Sequence, residues 1–361
     1  MKKYFSSLLV LLTLFVSCHE SPKVTQEGRG DAGRRFTVLC RVGTTPVKDQ
    51  GQSDLCWVYG MLATIESEHI MRGDSVNLSA DYVARQLLRW QTAQSYLSKG
   101  RKKINLRGMM PMLVRLIDDH GVEPYDTYCR LDSTVNYRVL SRRLEQKART
   151  ASSLTGLYKA TDDLMDEQIG LLPNIIAMGG AQYTALEFAH SVCSPGEYIA
   201  LTSFTHHPFG QRFALEVPDN HAGDLFLNIS IDSLMLHIRS ALVHGHPVCW
   251  EGDISESGFD WPSGLATLPP AQHPCTQKER QRAFETLQTT DDHVMELVGM
   301  ARDPEGTPFF IAKNSWGTDN AGRGYIYLSE DYVRLKTIAV MMTREAFMTG
   351  TSLVPIRPQT F

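Results

Sequence analysis

Gln50-Gly51-Gln52-Ser53-Asp54-Leu55-Cys56-Trp57 is the stretch from which the rest of the chain can be read. It follows Pro46-Val47-Lys48-Asp49 and runs directly into a helical pattern. Val58, Met61, Leu62, Ile65 and His69 fall on one helix face, at i, i+3, i+4, i+7 and i+11. Asp54 is a good N-cap residue, so Cys56 is expected in the first helical turn. There the partial positive charge of the helix end favours thiolate over thiol. A carboxylate at Asp54 works weakly against it, and a nearby imidazolium would complete the activation. Gln50, six residues before Cys56, offers an amide as one oxyanion donor, with the Cys56 backbone N–H as another. A Cys-Trp pair at a helix start is by itself an ordinary core feature; the Gln-Gly ahead of it gives it a chemical reading.

A partner for the thiol is found by a turn argument. Asp291 to Gly299 and Phe309 to Asn314 both read as strands, and Asp303-Pro304-Glu305-Gly306 between them is a type I turn signature. An antiparallel hairpin follows. If Asp303 pairs with Gly306, His293 faces Trp316 and Asn314 is its diagonal neighbour on the same face. A bulge can slip this register by a residue or two and still leave His293 and Asn314 within reach. An Asn accepting from the imidazole N–H fixes the ring's tautomer and orientation. In Asn314-Ser315-Trp316-Gly317 the Trp is placed to shield that bond from water.

Gln50-Gly51, Cys56-Trp57, a distant His293 and Asn314-Ser315-Trp316-Gly317 resemble, in this chain order, the papain-like cysteine peptidases. The resemblance implies a two-lobed α+β fold, a helical lobe plus an antiparallel β lobe. It makes Cys56 the nucleophile, His293 the general base and acid, Asn314 its orienter, and Gln50 part of an oxyanion hole. It also makes Trp57, Gly108 and Trp316 substrate-binding candidates, with no cofactor and no metal. Asn77 to Val83 resembles the helix after the nucleophile helix. Met112 to Pro124 resembles the leucine-rich helix and Gly-Val-x-Pro segment of the bleomycin hydrolase and aminopeptidase C branch. The long interval from Cys56 to His293 is similar to that branch's helical insertion, placed here at about 130–240, with the charged stretch Tyr137 to Arg149 inside it. Four features depart from the family: Ser53 replaces a disulfide cysteine, Asp54 and Leu55 are larger than usual, the substrate-binding Gly-Gly is Arg107-Gly108, and the tail that restricts the branch to aminopeptidase action is not recognisable in Gly350 to Phe361.

Outside this core, Lys2-Lys3 precede an apolar run to Ser17, too short to span a bilayer, which reads as a signal peptide over 1–17. Leu14-Phe15-Val16-Ser17-Cys18 resembles a bacterial lipobox, with Phe15 as its departure, so Cys18 is the lipidation candidate, with an ordinary signal peptide or a buried first strand as the alternatives. Residues 18–35 then form a lipid anchor and flexible tether, and 36–361 the peptidase domain. Arg29-Gly30-Asp31 reads as chance. The chain has 361 residues, 36 Lys plus Arg against 40 Asp plus Glu, and lacks the positive excess that phosphate binding needs. No nucleic-acid partner is expected. Seven cysteines are too few for a disulfide scaffold and odd in number, so no disulfide is required. Cys249 reads as a buried core thiol. His206-His207 and His244-Gly245-His246 lack metal-site spacing, the second reading as a helix-ending turn. Asp291-Asp292 could bind a cationic group, such as a substrate's free α-amine.

The expectation is a bacterial, envelope-located, lipid-anchored cysteine peptidase acting on peptides or proteins, aminopeptidase-like, with homo-oligomer formation possible. A catalytically impaired peptide-binding lipoprotein and a Cys-dependent amide transferase are the rivals; the full Gln, Cys, His and Asn set argues against the first.

Overall fold

The computed structural model describes residues 27–29, 35–129, 135–178, 180–269 and 275–351. The signal peptide, Cys18, most of the tether and the tail from 352 onward lie outside the described residues. Six helices, with β3 and β4, make one side of the molecule: α1 Cys56–Met71, α2 Ala80–Leu97, α3 Met110–His120, α4 Tyr137–Thr150, α5 Leu154–Gln168 and α6 Ala185–Val192. The other side is a twisted sheet, in chain order β1 Glu27–Arg29, β2 Arg35–Arg41, β5 Tyr198–Thr202, β6 Arg212–Ala214, β7 Leu225–Asn228, β8 Val248–Gly252, β9 Phe259–Asp260, β10 Leu265–Ala266, β11 His293–Arg302, β12 Pro308–Lys313, β13 Tyr325–Ser329 and β14 Thr337–Thr343. Ile176–Met178 (β3) and Ala181–Tyr183 (β4) form a separate hairpin among the helices. Helices α7 Ile231–Val243, α8 Gln277–Glu285, α9 Glu330–Lys336 and α10 Arg344–Thr351 accompany the sheet.

The helical side is ordered by caps and apolar faces. Ser79 opens α2 by accepting from the Tyr82 N–H, and Asn136 opens α4 by accepting from the Val139 N–H. The face of α4 that packs inward is Tyr137, Leu140, Leu144 and Ala148, a helical period inside an otherwise charged stretch. Gly121 ends α3 at φ 82° and ψ −171°, a conformation open in practice only to glycine. A Cβ there would also lie 2.4 Å from the Ala185 carbonyl carbon, so the turn doubles as a close contact with α6. His244 and Gly245 close α7 ahead of β8, as the sequence indicates.

Two expectations are corrected. Glu27–Arg29, within the expected tether, is strand: β2 pairs with β11 along one edge, and its other edge receives β1. The segment read as a helical insertion is mixed: helices α4 to α6 with the β3–β4 hairpin run to Val192, strands β5 to β7 follow, and α7 begins at Ile231. Tyr198–Thr202 joins the main sheet beside β14, and α7 packs on that sheet.

The hairpin of β11 and β12 has the expected partners at its functional end, by an unexpected route. At the loop, Asp303 N–H bonds the Thr307 carbonyl and Arg302 pairs with Pro308, one step off the simple two-residue turn. A bulge between Leu297 and Gly299 takes the extra residue back out. Glu296 then faces Lys313, and Leu297 faces Ala312. On its other edge, His293 to Leu297 pair antiparallel with β8.

A charged network joins the two sides. Glu66 of α1 is fully buried and accepts from Lys48 Nζ at 2.5 Å, Thr45 Oγ1 at 2.5 Å and the Leu78 N–H at 2.7 Å. Lys313 of β12 donates to Thr45 Oγ1 at 3.0 Å. Burial pulls the Lys48 amine down and Glu66 opposes this, so each charge depends on its partner. Replacing Glu66 with Ala would leave the largely buried Lys48 with the Leu78 carbonyl but without its carboxylate, and should cost roughly 3–5 kcal/mol in urea unfolding. A loss below about 1 kcal/mol, the range of an exposed pair, would contradict this.

Candidate active site

Cys56 is the first residue of α1. Leu55, not Asp54, is the N-cap, and no side chain caps the helix. The reason is packing: Leu55 is buried, and its carbonyl accepts from the Val58 and Tyr59 N–H groups, so the helix starts one residue later than the Asp54 cap predicts. Asp54 is exposed at the rim of the cleft.

His293 begins β11, and Asn314 follows the last residue of β12. Their side chains meet: His293 Nε2 lies 2.7 Å from Asn314 Oδ1, a buried bond in which the imidazole N–H donates. Asn314 Oδ1 also accepts the Ser315 N–H at 2.7 Å, which holds the amide in place. With Nε2 engaged, Nδ1 is the ring nitrogen left for chemistry. The Trp316 ring lies 4.7 Å from the His293 ring, tilted by 38°, and is braced at its edge by Trp261. This is the shielding position that the motif implies.

Gln50 reaches the site because residues 48–50 run beside 315–317. Gln50 N–H bonds the Ser315 carbonyl, and Gly317 N–H bonds the Lys48 carbonyl. Its amide oxygen accepts from Ser315 Oγ at 2.6 Å, and its Nε2 donates to the Ser53 carbonyl at 2.8 Å. That fixes which end of the amide is nitrogen and leaves Nε2 its second N–H. Gln50, Cys56, His293 and Trp316 line one cleft of about 400 Å³ together with Arg107, Asp219 and Asp292.

Two substrate-binding candidates sit elsewhere. Trp57 is 1% exposed and donates its indole N–H to the Leu106 carbonyl at 2.8 Å, so it belongs to the core. Gly108 is buried against it; a Cβ would stand 3.0 Å from the indole carbons. Side chains turn with the helix, and the first turn sends position 56 outward and 57 inward. Arg107, in contrast, reaches the cleft. Its Nε donates to Asp219 Oδ1 at 2.5 Å and its Nη2 to the Asp291 carbonyl at 2.8 Å. Asp219 comes from the connection between β6 and β7, and nothing local in sequence marks it as a cleft residue. Ser315 could have been found, since it lies inside the Asn-Ser-Trp-Gly motif.

Burial dominates the electrostatics. It pushes the Cys56 thiol up to about 12, with the Glu251 and Asp219 carboxylates adding to the rise and the Val294 N–H opposing it. It pulls the His293 imidazole down to about 4, against which the Asn314 bond works. Neither charge is favoured alone, so thiolate and imidazolium can form only together, by proton transfer between them. The other described cysteines, Cys40, Cys129, Cys193, Cys249 and Cys275, are free thiols, and burial raises each of them.

Glu216 joins His206 and His207 as a group with metal-ligand chemistry, a partner the spacing of the histidines does not reveal. Here the amide of Gln281, whose oxygen accepts the Thr205 N–H, donates to His206 Nδ1. His206 therefore turns an N–H, not a lone pair, toward Glu216, and the group is a hydrogen-bonded clasp. His246 is likewise engaged with Glu68, at 2.9 Å.

A sequence model described as papain family cysteine protease matches residues 277–345, which contain His293, Asn314 and Trp316 but not Cys56. No curated protein matches the chain. Among solved structures, PepW from Lactobacillus rhamnosis HN001 is similar with a TM-score of 0.65 at 16% identity, over 88% of this chain and 84% of that one. The digestive procathepsin L 3 of Tenebrio molitor larval midgut gives a TM-score of 0.40 at 18% identity, over 84% of this chain and 67% of that one. The bromelain protease of Ananas comosus gives 0.40 at 17% identity, over 83% and 94%. The architecture is the papain-like α+β fold.

In a Cys56→Ala protein no thiolate can pair with His293, and burial, opposed by the Asn314 bond, sets its titration. Its imidazole NMR resonances should titrate near pH 4 rather than 6.5. Unfolding then takes up a proton between these values. The contribution of the neutral ring is complete above pH 6.5 and is lost as pH falls through about 4, in all roughly 3 kcal/mol. A titration at or above pH 6.5 would contradict the burial argument.

Proposed function

We propose that this chain is a cysteine peptidase of the bleomycin hydrolase and aminopeptidase C branch, removing residues from peptide amino termini. The observation that carries the reading is the buried 2.7 Å bond from His293 to Asn314 in the cleft that Cys56 and Gln50 also line. His293 Nδ1 takes the Cys56 proton, and Sγ attacks the scissile carbonyl carbon. The resulting oxyanion accepts from the free Gln50 Nε2–H and the Cys56 backbone N–H. The protonated His293 gives its proton to the leaving amine as the C–N bond breaks, which leaves a thioester on Cys56. A water, deprotonated by His293, then attacks the thioester, and the thiol is regenerated with the carboxylic acid product.

Action at chain ends is supported by the segment around Asp219. Asp219 bonds Arg107 Nε, and His221 Nε2 meets the Arg107 carbonyl at 2.9 Å, so the segment crosses the cleft wall at Arg107. The branch assignment is supported by the Met112 to Pro124 motif, which in the fold is α3 and the glycine turn that ends it. Attachment to the bacterial envelope through a lipidated Cys18 is part of the same proposal, supported by the lipobox-like sequence alone.

A thiol-directed epoxide should label the wild-type protein and not Cys56→Ala. Mass spectrometry of a digested peptide should show a ladder that shortens from the amino terminus and disappears in the same variant. Labelling without turnover of any peptide would sink the peptidase reading, and internal cleavage would sink the end-directed one.

A further inference from the structure

Glu251 is an unexplained buried carboxyl, behind the cleft and near enough to Cys56 to raise its thiol. It lies in β8, every residue of which is buried, and is itself 1% exposed. Its Oε2 is buried without a hydrogen-bond partner. A lone buried carboxyl normally costs stability unless something complements it. Alternation along β8 puts Glu251 on the same face as Cys249, and its cross-strand partner is Val294. Val294 packs directly on Gly60 of α1, the helix that Cys56 opens. Glu251 therefore stands behind the nucleophile.

Two more carboxyl groups surround it. The Asp219 N–H donates to Asp291 Oδ2 at 2.8 Å, and both aspartates are nearly buried. The cation beside these acids is Arg107, and its donors go to the Asp219 carboxylate and the Asp291 carbonyl. One guanidinium thus serves three acids and reaches neither Glu251 nor the Asp291 carboxylate. The excess is felt locally. Burial first, then Asp219 and Asp291, push Glu251 well above the carboxylate range, and Arg107 only partly offsets them.

We propose that Glu251, Asp219 and Asp291 form a cation subsite beside Cys56, which takes a positively charged group of the peptide, its α-ammonium or a lysine or arginine side chain. The subsite rests on the peptidase reading of the cleft. It has a catalytic consequence: Asp219 opposes the Cys56 thiolate and a bound cation cancels part of that field, while Glu251, kept neutral by burial, ionises only as the cation binds. A substrate of the right charge helps to generate its own nucleophile.

The test separates binding from turnover. In the Cys56→Ala protein, calorimetry would compare Lys-Ala amide and norleucine-Ala amide, each with a free and with an acetylated amino terminus. Peptides carrying a cation should bind about tenfold tighter or more than acetyl-norleucine-Ala amide, as for a charged hydrogen bond in a buried site. Preference that follows the free amine assigns the subsite to the α-ammonium, and preference that follows lysine assigns it to the side chain. Equal affinity for all four peptides would overturn the proposal. Glu251→Gln, which keeps the shape, should abolish the discrimination, and Asp291→Asn gives a second reading should the first variant fold poorly. Discrimination that persists in both would overturn it as well. If peptides bind with the expected ranking but the Cys56 protein cleaves none, the peptidase reading fails and the subsite stands.

Discussion

The site depends on how closely one helix lies on one strand. Gly60, one turn into α1, faces Val294 of β11 so tightly that a Cβ would come within 2.7 Å of the valine methyl and 3.4 Å of its backbone. No other residue type allows that approach. Because Cys56 opens the helix and His293 opens the strand, the contact fixes the distance between nucleophile and base, while Asn314 and Gln50 are referred to the same strand pair. A catalytic geometry spread over residues 50 to 314 thus reduces to one packed interface between rigid elements.

The charged interior supports the same geometry from the opposite side. Glu66 lies on α1, Lys48 in the segment that carries Gln50, and Lys313 directly before Asn314. Lys48 and Lys313 sit one or two residues from a functional side chain, and Glu66 nearly three helical turns from Cys56 on the same helix. A polar network of this kind tolerates few alternative arrangements, so it specifies where the loop and the hairpin must lie as well as holding them there.

Much of this was legible in the sequence, for definable reasons. The Cys56 helix, the hairpin and the meeting of His293 with Asn314 follow from short-range rules of period and turn type. The hairpin register also shows the limit of such rules: the loop is longer than the simple turn, and only a bulge at Val298, invisible in composition, brings Glu296 and Lys313 opposite each other. Asp54 failed as an N-cap because Leu55 is drawn into the core, a tertiary demand that overrides a local preference. Trp57 failed as a cleft residue because adjacent residues at a helix start point in different directions. Asp219 and Glu251 could not be found at all. One arrives from a distant connection, and the other is a charged residue in a strand whose neighbours are all buried.

Arg107 precedes α3 on the helical wall of the cleft, and Asp291 precedes β11 on the sheet wall. Asp219 is bonded to both, through the Arg107 guanidinium and the Asp291 carboxylate. The two walls are therefore tied across the groove directly, by Arg107 to the Asp291 carbonyl, and through a third piece of chain at Asp219, and a hinge motion that spread them would have to break these links together. The aperture is a fixed slot rather than a jaw.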